Sequence, residues 1–157
     1  MAYPTAESRL IAAPAKKVWG LVSDLPRMGE WSPENAGGTW KDGATGPAVG
    51  AAFTGRNKKG LRRWSTTAKV IECEPGKVFE IAVVFGPTAL PVAHWRYEFE
   101  EAEGGCRVTE SWDDHRAAWM RVVARPMGDH SATHARAEMA ATLANLAKVA
   151  EGAVAEG

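Results

Sequence analysis

Between residues 61 and 113 apolar and polar positions alternate with a period of two. Trp64, Thr66, Ala68 and Val70 share one side of the first run. Phe79, Ile81, Val83 and Phe85 share one side of the next, and Trp95, Tyr97 and Phe99 one side of the third. The alternate positions include Arg63, Lys69, Glu80, Arg96 and Glu98, so each run predicts a strand with one apolar and one wet face. Lys58-Lys59-Gly60, Pro75-Gly76, Gly86-Pro87 and Gly104-Gly105 cut the runs with turn residues. Turns this short join antiparallel neighbours, because parallel pairing needs a long crossover. Strands are predicted at residues 5–12, 39–41, 49–57, 61–74, 77–85, 92–101 and 106–113. Six or seven strands in meander order then make one curved antiparallel sheet.

Helical spacing takes over at both ends. After Pro14, suited to a first helical turn, Val18, Trp19, Leu21 and Val22 fall on one face. Leu25-Pro26 begins a second short helix that runs into Glu30-Trp31, and residues 32–38 have loop chemistry. A short helix is expected within 116–125, broken by Pro126-Met127-Gly128. Residues 132–151, with Asp129 or Ser131 as cap, are alanine-rich without internal proline or glycine. About 20 helical residues reach about 30 Å, enough to cross a small domain. Met139, Leu143, Leu146 and Ala150, with Ala147 beside them, form its apolar stripe. The apolar sheet face is the one large surface able to cover that stripe. The expected class is α+β, with residues 1–157 as one domain.

Charge narrows the functional classes. Nineteen Lys and Arg balance nineteen Asp and Glu, with a pI near 6.9, so no net field favours nucleic acid or an anionic membrane. No apolar run approaches the length of a membrane span, and the first residues carry no basic-then-apolar leader. Cys73 and Cys106 are too far apart for a CxxC pair; two reduced thiols in a cytoplasmic protein are expected. Seven Trp against two Tyr and four Phe is the compositional outlier. Indoles are seldom fully buried, so they form either a coarse core or a pocket wall.

The order of strand, two short helices, meander and long helix resembles the START-like, helix-grip fold. Arg9-Leu-Ile-Ala-Ala-Pro14, Val18-Trp19, Ser23-Asp24-Leu25 and Gly29-Glu-Trp-Ser-Pro-Glu34 resemble the N-terminal signature of the polyketide cyclase/dehydratase-like branch of the SRPBCC superfamily. Glu74-Pro75-Gly76, Trp95-Arg-Tyr-Glu-Phe99, Gly105-Cys-Arg-Val-Thr-Glu-Ser-Trp112 and Met139-Ala-Ala-Thr-Leu143 resemble its later strands and last helix. The resemblance implies a cavity between sheet and helix. It does not choose among cyclases, dehydratases, carriers, receptors and chaperone regulators, so function has to come from the site.

Trp40, Phe53, Trp64, Phe85, Trp95, Tyr97 and Trp112 are the expected wall, with Met139 and Leu143 from the helix; a solid aromatic core is the other reading. The resemblance places Trp31 as a plug at the cavity's end, with Glu34 near an opening. Glu110 shares the inward parity of Val108 and Trp112. A carboxyl there is costly unless paired or neutral, and it suits either acid–base chemistry or a structural tie. His134, near the edge of the helical stripe, is the second candidate for proton transfer or a plain exposed histidine. His130 and His134 have a spacing that can chelate zinc, and Asp113-Asp114-His115 offers further donors. Without an HExxH glutamate, however, no metal is expected. Arg56 at the basic hairpin is a candidate for steering an anion, and residues 43–50 a candidate entrance flap. No nucleophile–base pair is legible, and no organic cofactor is implied. The expected partner is a small hydrophobic or aromatic molecule, with a homodimer left open. Binding, cyclase- or dehydratase-type catalysis, and a stress-response or chaperone-regulating module are the three functional readings.

Overall fold

The period-two runs assemble into one sheet. Among residues 5–127 and 131–156, which the computed structural model describes, the strands are β1 (Thr5–Ile11), β2 (Asn35–Trp40), β3 (Ala52–Lys59), β4 (Arg62–Glu74), β5 (Val78–Phe85), β6 (Leu90–Ala102) and β7 (Gly105–Asp114). All are antiparallel, in the order β1-β7-β6-β5-β4-β3-β2. The chain therefore meanders from β2 to β7, and β1 closes on the free edge of β7. Register shifts at Val70/Glu72 and Val83/Val84 add local twist, which helps a sheet to curve.

Helix α1 (Ala15–Ser23) follows Pro14 and leads into a 3-10 helix, Leu25–Glu30. After β7 come α2 (Ala118–Ala124), a 3-10 turn Arg125–Met127, and α3 (Ala132–Glu156). Ser131 caps α3, its hydroxyl accepting the His134 N–H at 3.3 Å; this leaves His134 in the first turn. Asp129, the alternative cap, lies outside the described residues. Helix α3 rests against β1, β7 and α1, with Ala135, Met139, Leu143, Leu146, Ala147 and Ala150 buried. Each larger side chain in that stripe contributes about 1.5–3 kcal/mol by leaving water. The helix-grip expectation holds. No described helix is long and apolar enough to cross a membrane.

Three local expectations need correction. Strand β2 starts at Asn35, inside the expected loop, with a register shift between Asn35 and Gly38. Strand β3 starts at Ala52 and runs through Lys59, so the turn is Gly60-Leu61 rather than Lys58-Lys59-Gly60. Glu80, on the wet face by parity, is only 5 % exposed. Arg96 covers it: its guanidinium donates to Glu80 at 2.8 Å, to Glu98 at 2.6 Å, and also to Glu72. His94 approaches the other Glu80 oxygen at 3.5 Å. Arg96→Leu strips the buried carboxylate of its donor and is expected to cost about 2 kcal/mol in urea unfolding. Glu98→Gln, at an exposed rim position, should cost a few tenths of that.

Candidate functional site

Between the apolar sheet face and α3 lies a pocket of about 390 Å³. Strand parity decides which side chains reach it. Phe53 enters from β3, Trp64 from β4, Phe85 from β5, Trp95 and Tyr97 from β6, Trp112 from β7, and Met139 from α3. Trp95 and Trp112 are register partners with ring centroids 6.2 Å apart.

Two expected wall residues, Trp40 and Leu143, and the expected plug, Trp31, are not among the residues that line it. Trp31 is 1 % exposed in the core, where its carbonyl accepts from Asn145 at 3.1 Å. Its indole N–H finds no acceptor among the described residues. Trp40 packs edge-on against Phe53 at 5.4 Å, outside the pocket wall. Leu143, one turn beyond Met139, joins the core with Leu146. Residues 43–50 do not border the pocket; Trp119, Met120 and Val123 of α2 and Phe85 and Leu90 of the β5–β6 hairpin do. Trp119 and Val123 are largely exposed. At the basic hairpin it is Arg62, not Arg56, that reaches the wall.

The deepest polar feature follows from register. Tyr97 on β6 stands directly opposite Glu110 on β7, and the phenol donates to Glu110 Oε1 at 2.7 Å. Glu110 is 2 % exposed, and its Oε2 has no partner among the described residues. Burial pushes the carboxyl up to about 8, against the opposing Tyr97 hydrogen bond and with the charge of Glu138 adding to the rise. Burial also lifts the Tyr97 phenol well above its ordinary range, helped by Glu110. Near neutrality Glu110 is then mostly a neutral acid in an apolar wall, able to donate or, once ionised, to accept a proton.

His134 also borders the pocket, held among other side chains. Its Nε2 lies 3.1 Å from Glu34 Oε1 and 3.6 Å from Glu138 Oε1. Lys59 Nζ sits 3.2 Å from the same nitrogen and 3.3 Å from Glu34. Inward parity shared with Phe53, Gly55 and Asn57 brings Lys59 there. Burial and the facing Glu34 push the Glu138 carboxyl up. Burial would also raise Glu34, but its bonds to Glu138, His134 and Lys59 outweigh that and hold it low.

The other residues with ligand-like spacing do not join this cluster. His115 stacks on His94 at 4.0 Å and contacts Asp113 at 2.9 Å, on the opposite sheet face. His130 lies outside the described residues. Cys73 and Cys106 are free thiols away from the wall, both raised by burial, Cys106 also by Glu101. Sequence reasoning missed Glu138, although it stands one helical turn from His134 on the same face. It also missed Trp119, whose short helix gave no periodicity long enough to assign a face.

A family profile described as "Polyketide cyclase / dehydrase and lipid transport" matches residues 5–151. The Polyketide_cyc-like protein Cgl2372 of Corynebacterium glutamicum is 35% identical over 95% of this chain and 91% of its own, with a TM-score of 0.58. The di-domain ARO/CYC StfQ of the steffimycin biosynthetic pathway shares the fold at 12% identity and a TM-score of 0.71, over 96% of this chain and 51% of its own. Ara h 8.0201 does so at 12% and 0.65, over 94% and 96%. No curated protein matches the chain.

Proposed function

The chain belongs to the polyketide cyclase / dehydrase and lipid transport family, and from that premise we propose that it binds a small, largely apolar aromatic molecule in the pocket between its sheet and α3. Family membership supports a role in hydrophobic ligand binding or cyclisation. One observation carries the narrower reading: an aromatic pocket of about 390 Å³ whose wall includes a single buried carboxyl with an oxygen left over. The volume falls in the range of ordinary small-molecule sites, which combine apolar walls with a few placed polar groups. Trp64, Trp95 and Trp112 supply ring faces, and Glu110 Oε2 is free to meet one carbonyl or hydroxyl oxygen of the ligand.

Titration with aromatic polyketide-like and lipid-like compounds tests this through tryptophan fluorescence. A saturable change is expected with an aromatic ligand, weakened about tenfold by Trp95→Ala or Trp112→Ala through lost ring contact. Silence across both ligand classes would overturn it.

The Tyr97–Glu110 pair favours a second reading, cyclase- or dehydratase-type catalysis. An ionised Glu110 would take a proton from a carbon flanked by two carbonyls; that carbon would bond to a further carbonyl carbon of the same molecule, and the proton would return to the alkoxide oxygen that its opened C=O leaves. The pocket would supply positioning, and His134 a second proton-exchanging station. Turnover of a poly-β-carbonyl substrate should then fall about 100-fold or more in Glu110→Gln. Unchanged turnover in Glu110→Gln combined with His134→Ala would end that assignment while leaving binding intact.

A further inference from the structure

We propose that Glu34, His134 and Glu138 form a site for a divalent transition-metal ion on the pocket wall, with open coordination positions facing the pocket. The inference goes beyond ligand binding and does not rest on it. Two ligands come from consecutive turns of α3. The third comes from the residue that precedes β2, a hundred positions earlier in the chain.

Spacing is the first support. The three donor atoms lie within 4.8 Å of one another, and among the described residues no other trio of His, Cys, Asp or Glu converges in this way. Bonds of 2.0–2.2 Å to a first-row ion hold neighbouring donors about 3.0–3.5 Å apart. The separations from His134 Nε2 to Glu34 and Glu138 are 3.1 and 3.6 Å. Both separations from the imidazole match the spacing that one shared ion imposes.

The second support is a positive charge already drawn there. The Lys59 ammonium contacts Glu34 and the same imidazole nitrogen, so one cation is already seated at this cluster. Lys59 is the last residue of β3, beside the Gly60 turn, and its side chain is 28% exposed. Lysine is thus a built-in competitor for the site. One imidazole and two carboxylates, without thiolate, suit zinc, cobalt, manganese or iron(II) rather than copper(I). Three protein ligands leave at least one position for water or an oxygen of a pocket ligand.

Cobalt(II) titration of chelator-stripped, full-length protein, with no organic ligand present, tests the site through visible d–d absorption. One equivalent of cobalt should develop the bands, and zinc should abolish them by displacement. His134→Ala and Glu138→Gln should each weaken cobalt binding about 100-fold or more, while Lys59→Met should tighten it about tenfold by removing the competing charge. Thermal melts check that each variant folds; if one alanine variant does not, the glutamine variant and Lys59→Met still decide. Absence of bands in both wild type and Lys59→Met overturns the proposal. So do bands that persist unchanged in His134→Ala or Glu138→Gln, which would place the ion elsewhere, for example at His94 and His115. Fluorescence titration with aromatic ligands reads the pocket separately, so failure of the metal site and failure of ligand binding are distinguishable.

Discussion

Raising the pH from about 5 to about 8 will cost the folded protein about 4 kcal/mol, and Glu110→Gln will remove most of that loss. Glu110 titrates near its ordinary value in the unfolded chain, but burial pushes it up to about 8 in the folded one. Between those values the folded state holds a proton that the unfolded state releases. Stability therefore falls as pH rises, by about 1.4 kcal/mol per unit, and levels off above the folded value. Glu138, also raised, adds a smaller loss of the same sign because it is only half-buried. Glu34 and Asp114, held low, act oppositely: their support is present at neutral pH and lost in acid, below this window. Glutamine keeps a carbonyl to accept from Tyr97 and has nothing to ionise. Urea unfolding of both proteins with chelator present, at several pH values, is the measurement. Parallel pH profiles for wild type and Glu110→Gln would show that the buried carboxyl is not the source.

The inward position of Glu110 was legible because period two admits one parity for Val108, Glu110 and Trp112. Its partner was not, because the expected turn Gly104-Gly105 would set Tyr97 opposite Trp112. The turn is Glu103-Gly104, with Ala102 opposite Gly105, and this register brings Tyr97 opposite Glu110. What the pattern could not supply was any contact without a register. Glu34 and His134 meet across a hundred residues because α3 folds back over the sheet, and no local spacing encodes that approach. Trp40 was misplaced for a related reason: aromatic content signals burial but does not distinguish a pocket wall from the core behind it. Strand β2 was hidden by its glycines. At Gly38 a Cβ would stand 2.0 Å from the Thr54 carbonyl oxygen, so a residue type that reads as loop is the one that permits pairing there. Glu80 shows the limit of parity itself, since a wet-face position became buried once Arg96 lay across it.

Gly105→Ala will destabilise the protein by about 4 kcal/mol or more, against about 1 kcal/mol for Gly104→Ala next to it. Both glycines have positive φ, +81° at Gly104 and +158° at Gly105. A side chain is strained at either, but the surroundings differ. A Cβ on Gly104 would meet nothing within 4 Å, so its cost is confined to the backbone. A Cβ on Gly105 would lie 2.0 Å from the Ile11 carbonyl oxygen and 2.9 Å from Ala12 Cα, well inside contact distance and against backbone that cannot rotate away. Relief requires the end of β1 to part from the start of β7. These strands pair from Ile11–Cys106 to Thr5–Trp112, and β7 carries Glu110 and Trp112 into the pocket. Parting them should loosen the pocket along with the edge of the sheet. Urea unfolding of the two variants gives the comparison, and near-ultraviolet circular dichroism reports whether the tryptophans keep their fixed surroundings. Equal costs for the two substitutions would mean that β1 does not press on Gly105, and that the edge pairing beside Glu110 is looser than the close approach requires.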